Sequence, residues 1–77
     1  MKAAVSYNSF VLKTRMPELR KEHGITQSGL AEAIGVTRET IVRIESGRVN
    51  PTPKIAFDIA AVLHARIEDI FSFEESC

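Results

Sequence analysis

Two arginines and a glutamate stand close together near the middle of the chain, where residues 37–46 read TRETIVRIES. The guanidinium fork of arginine can donate two hydrogen bonds to the O6 and N7 atoms of guanine, and a carboxylate can accept one from N4 of cytosine. On a helix, Arg38, Glu39 and Arg43 lie on one side. They would form a surface suited to reading base edges in the DNA major groove. The alternative is a solvated helix face on which Glu39 and Arg43 pair at i, i+4.

The residues before this segment predict a sharp turn between two helices. Thr26 and Thr37 are good N-caps, because a threonine hydroxyl can accept from the free backbone N–H groups of a first helical turn. Gly35 ends the helix that Thr26 begins, and it can take the positive φ that the turn demands. Val36 alone separates Gly35 from Thr37. The third helix of the chain must therefore cross the second at a steep angle, with the small Ala31 at the crossing.

The predicted third helix has one apolar face and one charged face. Ile41 and Ile44 are three residues apart and face inward, and Gly47 closes the helix. The outward face then carries Arg38, Glu39, Val42 and Arg43. Such a helix is a rigid convex rod that fits the major groove, which is about 12 Å wide.

Helical patterns also precede and follow this pair of helices. A short first helix opens at Pro17, whose missing N–H costs nothing at a first helical position, and Gly24 stops it. Thr52 or Pro53 opens a fourth helix, and His64 stands at its C-cap. The apolar stripe of the fourth helix, at i, i+4 and i+8, consists of Ile55, Ile59 and Leu63, with Ala56 and Ala60 beside it.

The two ends of the chain predict short elements. Residues 1–16 contain Tyr, Phe, Val and Thr, which favour an extended strand. Residues 67–71 predict one helical turn, and residues 71–75 can alternate as a strand in which Phe71 and Phe73 share a face that residues 10–12 cover. The predicted fold class is therefore all-α, with four or five helices and with or without a small two-stranded antiparallel sheet from the termini.

Composition limits the class of protein. A chain of 77 residues makes one domain. No apolar run approaches the roughly 20 residues that cross a bilayer, and no signal peptide is recognisable, so we expect a cytoplasmic protein without membrane contact. Cys77 is the last residue and the only cysteine. It fits a reducing compartment, as a thiol at a frayed end rather than a redox sensor.

The charge is unevenly divided although the net charge is zero. Residues 1–54 hold nine Lys or Arg against five Asp or Glu, whereas residues 55–77 hold one Arg against five acidic residues. A protein that meets phosphate with one part, and water or a partner with the other, has this distribution.

Catalysis has no candidate residues in this sequence. No nucleophile stands near a base, no loop has the glycine pattern that cradles phosphate, and no pair of carboxylates is placed to form a cleft. Neither His23 nor His64 has a second ligand at metal spacing. We therefore expect no enzyme activity, no metal and no cofactor.

The segment ITQSGLAEAIGVTRETIVRIESGRVNP closely resembles the helix-turn-helix of the Cro/phage-repressor type, also called the xenobiotic-response-element family. The resemblance extends over residues 16–71, because ELRKEHGITQ opens it and IEDIF closes it at the family's spacing. It implies a compact repressor-like DNA-binding domain over residues 17–71, with the helix-turn-helix at 27–46 and the recognition helix at 38–46. Residues 1–16 would be an N-terminal extension, and residues 72–77 a C-terminal tail.

The resemblance also implies roles for individual residues. Base reading falls to Arg38, Glu39 and Arg43. Phosphate contact or positioning falls to Gln27, Thr37, Arg48 and Asn50, and Gln27 braces the first base-reading side chain. Alternatively, Gln27 and Thr37 only cap their helices, and Arg48 and Asn50 are ordinary polar residues of a loop.

Arg20 and Glu45 match a partly buried ion pair that joins the first helix to the end of the third in this family. Loss of one partner would leave an uncompensated charge, at a cost of about 3–5 kcal/mol. Three positions depart from the family's pattern. Gly29 replaces a polar helix former, His64 replaces a glycine, and Arg66 replaces a Ser or Thr cap.

A single helix-turn-helix buries little surface on DNA, so we expect a homodimer on double-stranded DNA that reads two half-sites of an inverted repeat about 34 Å apart. The candidates for the dimer interface are Val11, Phe57, Ala61, Phe71 and Phe73; the alternative is that the aromatic residues complete the core. No small-molecule effector is evident, and repression of transcription is the expected function. An antitoxin, a restriction–modification controller and a protein-interaction module are alternatives on the same fold.

Overall fold

The structure, a computed structural model, describes residues 10–75, which form five helices and two strands. In chain order these are β1 (Phe10–Thr14), α1 (Met16–Glu22), α2 (Gln27–Ile34), α3 (Arg38–Glu45), α4 (Pro53–Leu63), α5 (Ile67–Ile70) and β2 (Phe71–Glu75). The predicted fold class is confirmed, in its form with the two-stranded sheet. The predictions for residues 1–9 and for Cys77 lie outside the described residues.

Three helices begin at threonine caps. The side-chain oxygens of Thr26, Thr37 and Thr52 each accept a hydrogen bond from the backbone N–H three residues further on, at 2.9, 3.2 and 3.2 Å. Each bond satisfies one of the N–H groups that a first turn leaves free. These caps fix where α2, α3 and α4 start, and Pro53 follows its cap as the first residue of α4.

The start of α1 differs from the prediction by one residue. The helix begins at Met16, so Pro17 is its second residue rather than its first. The Met16 side chain is fully buried, and the preceding Arg15 donates its backbone N–H to the carbonyl of Ile70 (2.8 Å). This bond to α5 holds the chain where β1 gives way to α1. Proline tolerates either position, because neither N–H has an acceptor within the helix.

The core lies between the helices, and every helix contributes to it. Its members are Met16, Leu19, Leu30, Ala31, Ile41, Ile44, Ile59, Ala60, Leu63 and Ile70. Of the predicted stripe on α4, only Ile55 is half-buried rather than buried. Full burial of a large aliphatic side chain contributes about 1.5–3 kcal/mol, so this cluster stabilises the fold and holds α2 and α3 in a fixed relation.

The two strands pair antiparallel, with Leu12 directly opposite Phe73. Opposed residues share a face of a sheet, so Leu12, Phe71 and Phe73 lie on one face, as predicted for the two phenylalanines. Val11 lies on the other face. The expected cover by residues 10–12 is therefore made by Leu12, which is buried, and not by Val11, which is exposed.

The sheet abuts the C-terminal end of α3. Thr14 Oγ1 donates to the carbonyl of Glu45 (3.3 Å). Gly47, just beyond the helix, has a φ of 80°, and a Cβ atom there would stand 2.7 Å from the carbonyl oxygen of Leu12. Glycine meets both requirements, the left-handed backbone and the close approach of β1.

Candidate nucleic-acid interface

Between α2 and α3 the chain turns within three residues, Gly35, Val36 and Thr37. Gly35 adopts the left-handed conformation with a φ of 79°, and the backbone N–H groups of Gly35 and Val36 both donate to the carbonyl of Ala31 (2.9 and 3.0 Å). Ala31 is itself buried, and its small side chain lets α3 pass close to α2. Thr37 then caps α3 at once. The turn is thus fixed by glycine geometry and by the caps of the two helices.

α3 separates its apolar and charged residues onto opposite faces. Ile41 and Ile44 are buried in the core, whereas Arg38, Glu39 and Arg43 are all exposed. Among the ion pairs of residues 10–75, none joins Glu39 to Arg43. Both guanidinium groups are therefore accessible on a helix whose opposite side is held in the core.

Gln27, the first residue of α2, joins the two helices at this face. Its Nε2 donates to Oε1 of Glu45 at the end of α3 (3.0 Å). Its Oε1 accepts from Nη2 of Arg38 at the start of α3 (3.2 Å). The structure thus places Gln27 against the first of the predicted base-reading side chains, in contacts that go beyond those of a helix cap.

Arg20 and Glu45 form a bidentate ion pair behind the same face. Arg20 Nε and Nη2 donate to the two carboxylate oxygens of Glu45 at 2.6 and 3.1 Å, and Nη1 donates to the carbonyl of Ile25 (3.1 Å). The two side chains are only 13% and 7% exposed. Because each charge is bonded to the other at two points, the pair ties α1 to the end of α3 without leaving a buried charge unpaired.

Thr40 adjoins Thr37 at the start of α3 and is not among the residues predicted from the sequence. Its backbone N–H donates to Thr37 Oγ1 (3.2 Å), and the two hydroxyl oxygens lie 3.0 Å apart in a second hydrogen bond. Thr37 is exposed and Thr40 is half-buried, so the two form a small polar group at the start of α3. The sequence signal is weak, because a threonine three positions after the cap is not the Glu or Gln of a capping box.

The loop between α3 and α4 places its two predicted phosphate ligands differently. Arg48 is exposed directly beyond α3, and its backbone N–H donates to the carbonyl of Arg43 (3.0 Å). Asn50 borders a groove of about 170 Å³ beside the sheet, whose other lining residues are Leu12, Pro51, Ala56, Ile67, Phe71 and Phe73. Arg48 therefore follows α3 with an exposed side chain, whereas Asn50 lies next to the sheet.

Gly29 lines an open groove of about 620 Å³ that also touches the start of α3 at Arg38. A Cβ atom at this position would lie 3.2 Å from Thr26 Oγ1, the oxygen that caps α2. Glycine leaves this capping bond undisturbed, although it weakens a helix by about 1 kcal/mol relative to alanine.

The two most exposed large apolar side chains lie on α4 and on the sheet, and Val49 is exposed in the loop after α3. Phe57 is 65% exposed and Phe73 is 55% exposed. Ala61, one turn after Phe57, is exposed on the same side of α4, whereas Phe71 packs against the core. The candidate interface residues therefore divide into Phe57 with Ala61, Phe71 with Phe73, and Val11 alone on the second face of the sheet.

The described residues meet the requirements of neither a metal site nor a membrane-spanning helix. Residues 10–75 contain no group of three His, Cys, Asp or Glu side chains that could hold a metal ion. The rings of His23 and His64 lie against each other at the ends of α1 and α4, with 5.4 Å between centroids. No helix of the described chain is long and apolar enough to cross a bilayer.

Both the sequence and the fold are similar to those of known proteins. Residues 18–70 match the helix-turn-helix family. A protein of Archaeoglobus fulgidus, described as an uncharacterized HTH-type transcriptional regulator, is 50% identical over 64 residues, which cover 83% of this chain and 90% of the relative.

Two solved structures are also similar. The transcriptional regulator VanUg has the same fold, with a TM-score of 0.76 over 97% of this chain and 100% of its own, at 16% identity. The restriction–modification controller protein C.AhdI from Aeromonas hydrophila superposes with a TM-score of 0.66 at 27% identity, over 71% of this chain and 83% of its own.

Proposed function

The chain belongs to the helix-turn-helix family of DNA-binding transcriptional regulators, and we propose that it is a homodimeric repressor that binds an inverted-repeat operator. The observation that carries this proposal is the exposed face of α3. Arg38 and Arg43 are accessible on a helix whose other side, at Ile41 and Ile44, is buried. Such a helix can enter a major groove as a rigid unit.

Arg38, Glu39 and Arg43 read the base edges. Each arginine donates two hydrogen bonds to a guanine, and a good bidentate contact discriminates against a wrong base by about 1–3 kcal/mol. Glu39 accepts from N4 of cytosine, and its charge opposes binding where no such donor is present. The operator therefore contains G·C pairs in each half-site.

The helix starts and the loop after α3 hold the DNA backbone. Gln27 and Thr37 stand at the N-terminal ends of α2 and α3, where free N–H groups and the helix dipole favour a phosphate. Arg48 and Asn50 contact phosphates from the loop. Contacts of this kind fix the register of a recognition helix but do not themselves distinguish bases.

The dimer forms through α4 and the terminal sheet. Its contacts are made by Phe57, Ala61, Phe71 and Phe73, with Val11 at the second face of the sheet. Residues 17–71 act as the DNA-binding domain, residues 1–16 as an extension and residues 72–77 as a tail. The acidic residues after position 54 then lie away from DNA. The protein acts in the cytoplasm, where the dimer bound to its operator blocks transcription. Its binding is not controlled by a small-molecule effector.

A restriction–modification controller is the second candidate, and the likeness to the controller protein C.AhdI favours it. A controller and a simple repressor would bind DNA with the same residues, so binding alone does not separate them. A methyltransferase gene beside the coding sequence, with an operator between the two, would identify a controller.

The test begins with selection of random duplexes by the purified wild-type protein, followed by titration of the selected duplex at about 50 and about 200 mM salt. We expect an inverted repeat, two protomers per duplex and a steep effect of salt. A dimer that makes 6–10 phosphate contacts loses roughly 10³–10⁵ in affinity over this range.

The matched variants are the double variant Arg38→Ala/Arg43→Ala and the control Arg66→Ala, which removes an exposed arginine at the start of α5. We expect the double variant to bind selected and unselected duplexes alike, and the control to behave as wild type. The proposal is wrong when wild type selects no sequence, or when the double variant selects the same sequence as wild type.

A further inference from the structure

The hydrogen bonds behind the charged face form one continuous chain. It runs from the carbonyl of Ile25 through Arg20, Glu45 and Gln27 to Arg38. From this chain we infer that Glu45 is a positioning residue for base reading, because it sets which way the Gln27 amide faces and thereby holds Arg38. The inference rests on the proposed function, since it concerns the base that Arg38 reads.

The two ends of the Gln27 amide face chemically opposite neighbours. An ionised carboxylate only accepts hydrogen bonds, and a guanidinium only donates them. Gln27 Nε2 lies 3.0 Å from Glu45 Oε1, and Gln27 Oε1 lies 3.2 Å from Arg38 Nη2. The reversed amide would set oxygen against carboxylate and N–H against guanidinium, and would lose both bonds. Glu45 therefore selects the orientation that turns an acceptor toward Arg38.

Arg20 holds Glu45 in the position that this requires. Its Nε donates to Oε2 (2.6 Å) and its Nη2 to Oε1 (3.1 Å), so Glu45 Oε1 accepts from Arg20 and from Gln27 together. Glu45 is 7% exposed, which leaves water little access to compete for the carboxylate. The carboxylate is thus held by Arg20 of α1, and its Oε1 also accepts from Gln27 of α2.

The consequence for Arg38 is a side chain that is ordered before DNA arrives. A free arginine samples many rotamers, and fixing it on a base costs entropy. One N–H bonded to Gln27 restricts these rotamers, and the other N–H groups remain for guanine. Because a bidentate contact depends on the orientation of the fork, the brace raises discrimination between bases more than it raises affinity for any DNA.

Glu45→Gln is the variant that isolates the amide orientation. Its side chain keeps its shape but has a single acceptor oxygen in place of two. Arg20 Nε donates the shortest bond to Glu45 (2.6 Å), so we expect the single oxygen to stay there. The new N–H₂ group then loses the bond from Arg20 Nη2 and faces Nε2 of Gln27, whose amide reverses. The reversed amide presents N–H₂ to Arg38, a donor against a donor, and releases it.

Two further variants separate positioning from stability. Arg20→Lys also weakens the ion pair but leaves position 45 a carboxylate, so the Gln27 amide keeps its orientation. Gln27→Leu cuts the link to Arg38 and leaves the ion pair of Arg20 and Glu45 intact.

The first readout is discrimination between base pairs at the position that Arg38 reads. For each variant it is compared with the unfolding temperature, measured by circular dichroism. The base pair read by Arg38 is defined as the one whose preference disappears in Arg38→Ala. Discrimination is the affinity for the selected duplex divided by that for the duplex changed at this pair, a factor of about 5–150 for a bidentate contact. We expect Glu45→Gln and Gln27→Leu to abolish most of this factor. Arg20→Lys should keep it, although its unfolding temperature falls.

The second readout needs no DNA. In NMR spectra of the free protein, we expect the two Nε2 protons of Gln27 to be well separated, because one of them is bonded to Glu45. In Glu45→Gln this separation changes and the side-chain N–H signal of Arg38 shifts, whereas both persist in Arg20→Lys.

The outcomes separate this inference from the proposed function. A Glu45→Gln protein that keeps both discrimination and the Arg38 signal overturns the inference, as does an Arg20→Lys protein that loses discrimination in step with stability. When Glu45→Gln does not fold, Gln27→Leu decides, and full discrimination in that variant overturns the inference. Failure of wild type to select any duplex refutes the proposed function instead, while the NMR comparison still tests how Glu45 orients Gln27.

Discussion

The two surfaces of this molecule expose different chemistry over one core. At the turn between α2 and α3, exposed cations lie next to a nearly buried ion pair, Arg20 with Glu45. At the other surface, α4 and the sheet expose Phe57 and Phe73, and the ion pairs there are solvated, with Arg66 73% exposed. The charged surface is therefore supported by a nearly buried ion pair, whereas the apolar surface has ion pairs that lie in water.

The largest effect should come from removing one partner of the anchor. Arg20→Ala leaves Glu45 with a charge that is nearly buried and unpaired, and should lower the free energy of unfolding by about 3–5 kcal/mol. Arg66→Ala removes an arginine that is also paired with carboxylates, but in water, and should cost far less stability than Arg20→Ala. Urea unfolding of both variants checks this contrast. Equal losses would contradict the distinction between anchored and solvated pairs.

A second variant tests the place where the two surfaces meet. Gly47→Ala forces a left-handed alanine, at about 1–2 kcal/mol, and sets its Cβ against the carbonyl oxygen of Leu12, at about 1–3 kcal/mol more. Gly24→Ala has a similar φ of 66° but nothing within 4 Å of the new Cβ, so it should show the backbone cost alone. Thermal unfolding measures the loss of stability in each variant. Equal losses would mean that β1 does not closely approach Gly47.

The apolar surface should matter for association rather than for folding. Phe57→Ser removes one aromatic ring from each protomer. Full burial of one such ring contributes about 1.5–3 kcal/mol, so the dimer should dissociate at a concentration at least about 10 times higher. Val49→Ser changes an exposed apolar residue beside α3 instead, and should leave dimerisation unchanged. Sedimentation equilibrium measures both. If Phe57→Ser does not change the dissociation of the dimer, the interface does not include this part of α4.

The smallest effect concerns the solvated pair itself. The hydrogen bond from Arg66 holds the pKa of Asp69 below its ordinary value, against the opposing effect of desolvation and with help from the charge of Arg66. A carboxyl whose pKa is lowered stabilises the fold above its unfolded pKa, and this contribution is lost as the pH falls through the folded pKa. An NMR titration should show the pKa of Asp69 rising in Arg66→Ala. No change would mean that the pair is not formed in solution.

Much of the fold could be predicted from local chemistry. The threonine caps, the turn at Gly35 and the buried Ile41 and Ile44 each follow from rules that act within one or two helical turns. His64 ends α4 in the left-handed conformation, with a φ of 54°, as its place at the predicted C-cap requires. The pairing of the termini followed from alternation, which placed Phe71 and Phe73 on one face.

What could not be predicted depends on contacts between distant residues. The start of α1 moves to Met16 because Arg15 bonds to the carbonyl of Ile70, a contact made only in the folded chain. Val11 falls on the far face of the sheet because the register of β1 and β2 decides it, and no local pattern gives that register. The bond from Gln27 to Glu45 likewise joins side chains 18 positions apart.

The role of the exposed face of α3 is best tested by the base preference of single variants, resolved position by position on the selected duplex. Arg38→Ala and Arg43→Ala should each lose preference at one base pair per half-site, at different positions, while keeping the rest of the wild-type profile. Each loss should amount to about 1–3 kcal/mol. Profiles identical to wild type, or a uniform loss of binding to every sequence in both variants, would contradict the claim that the exposed face of α3 reads the operator.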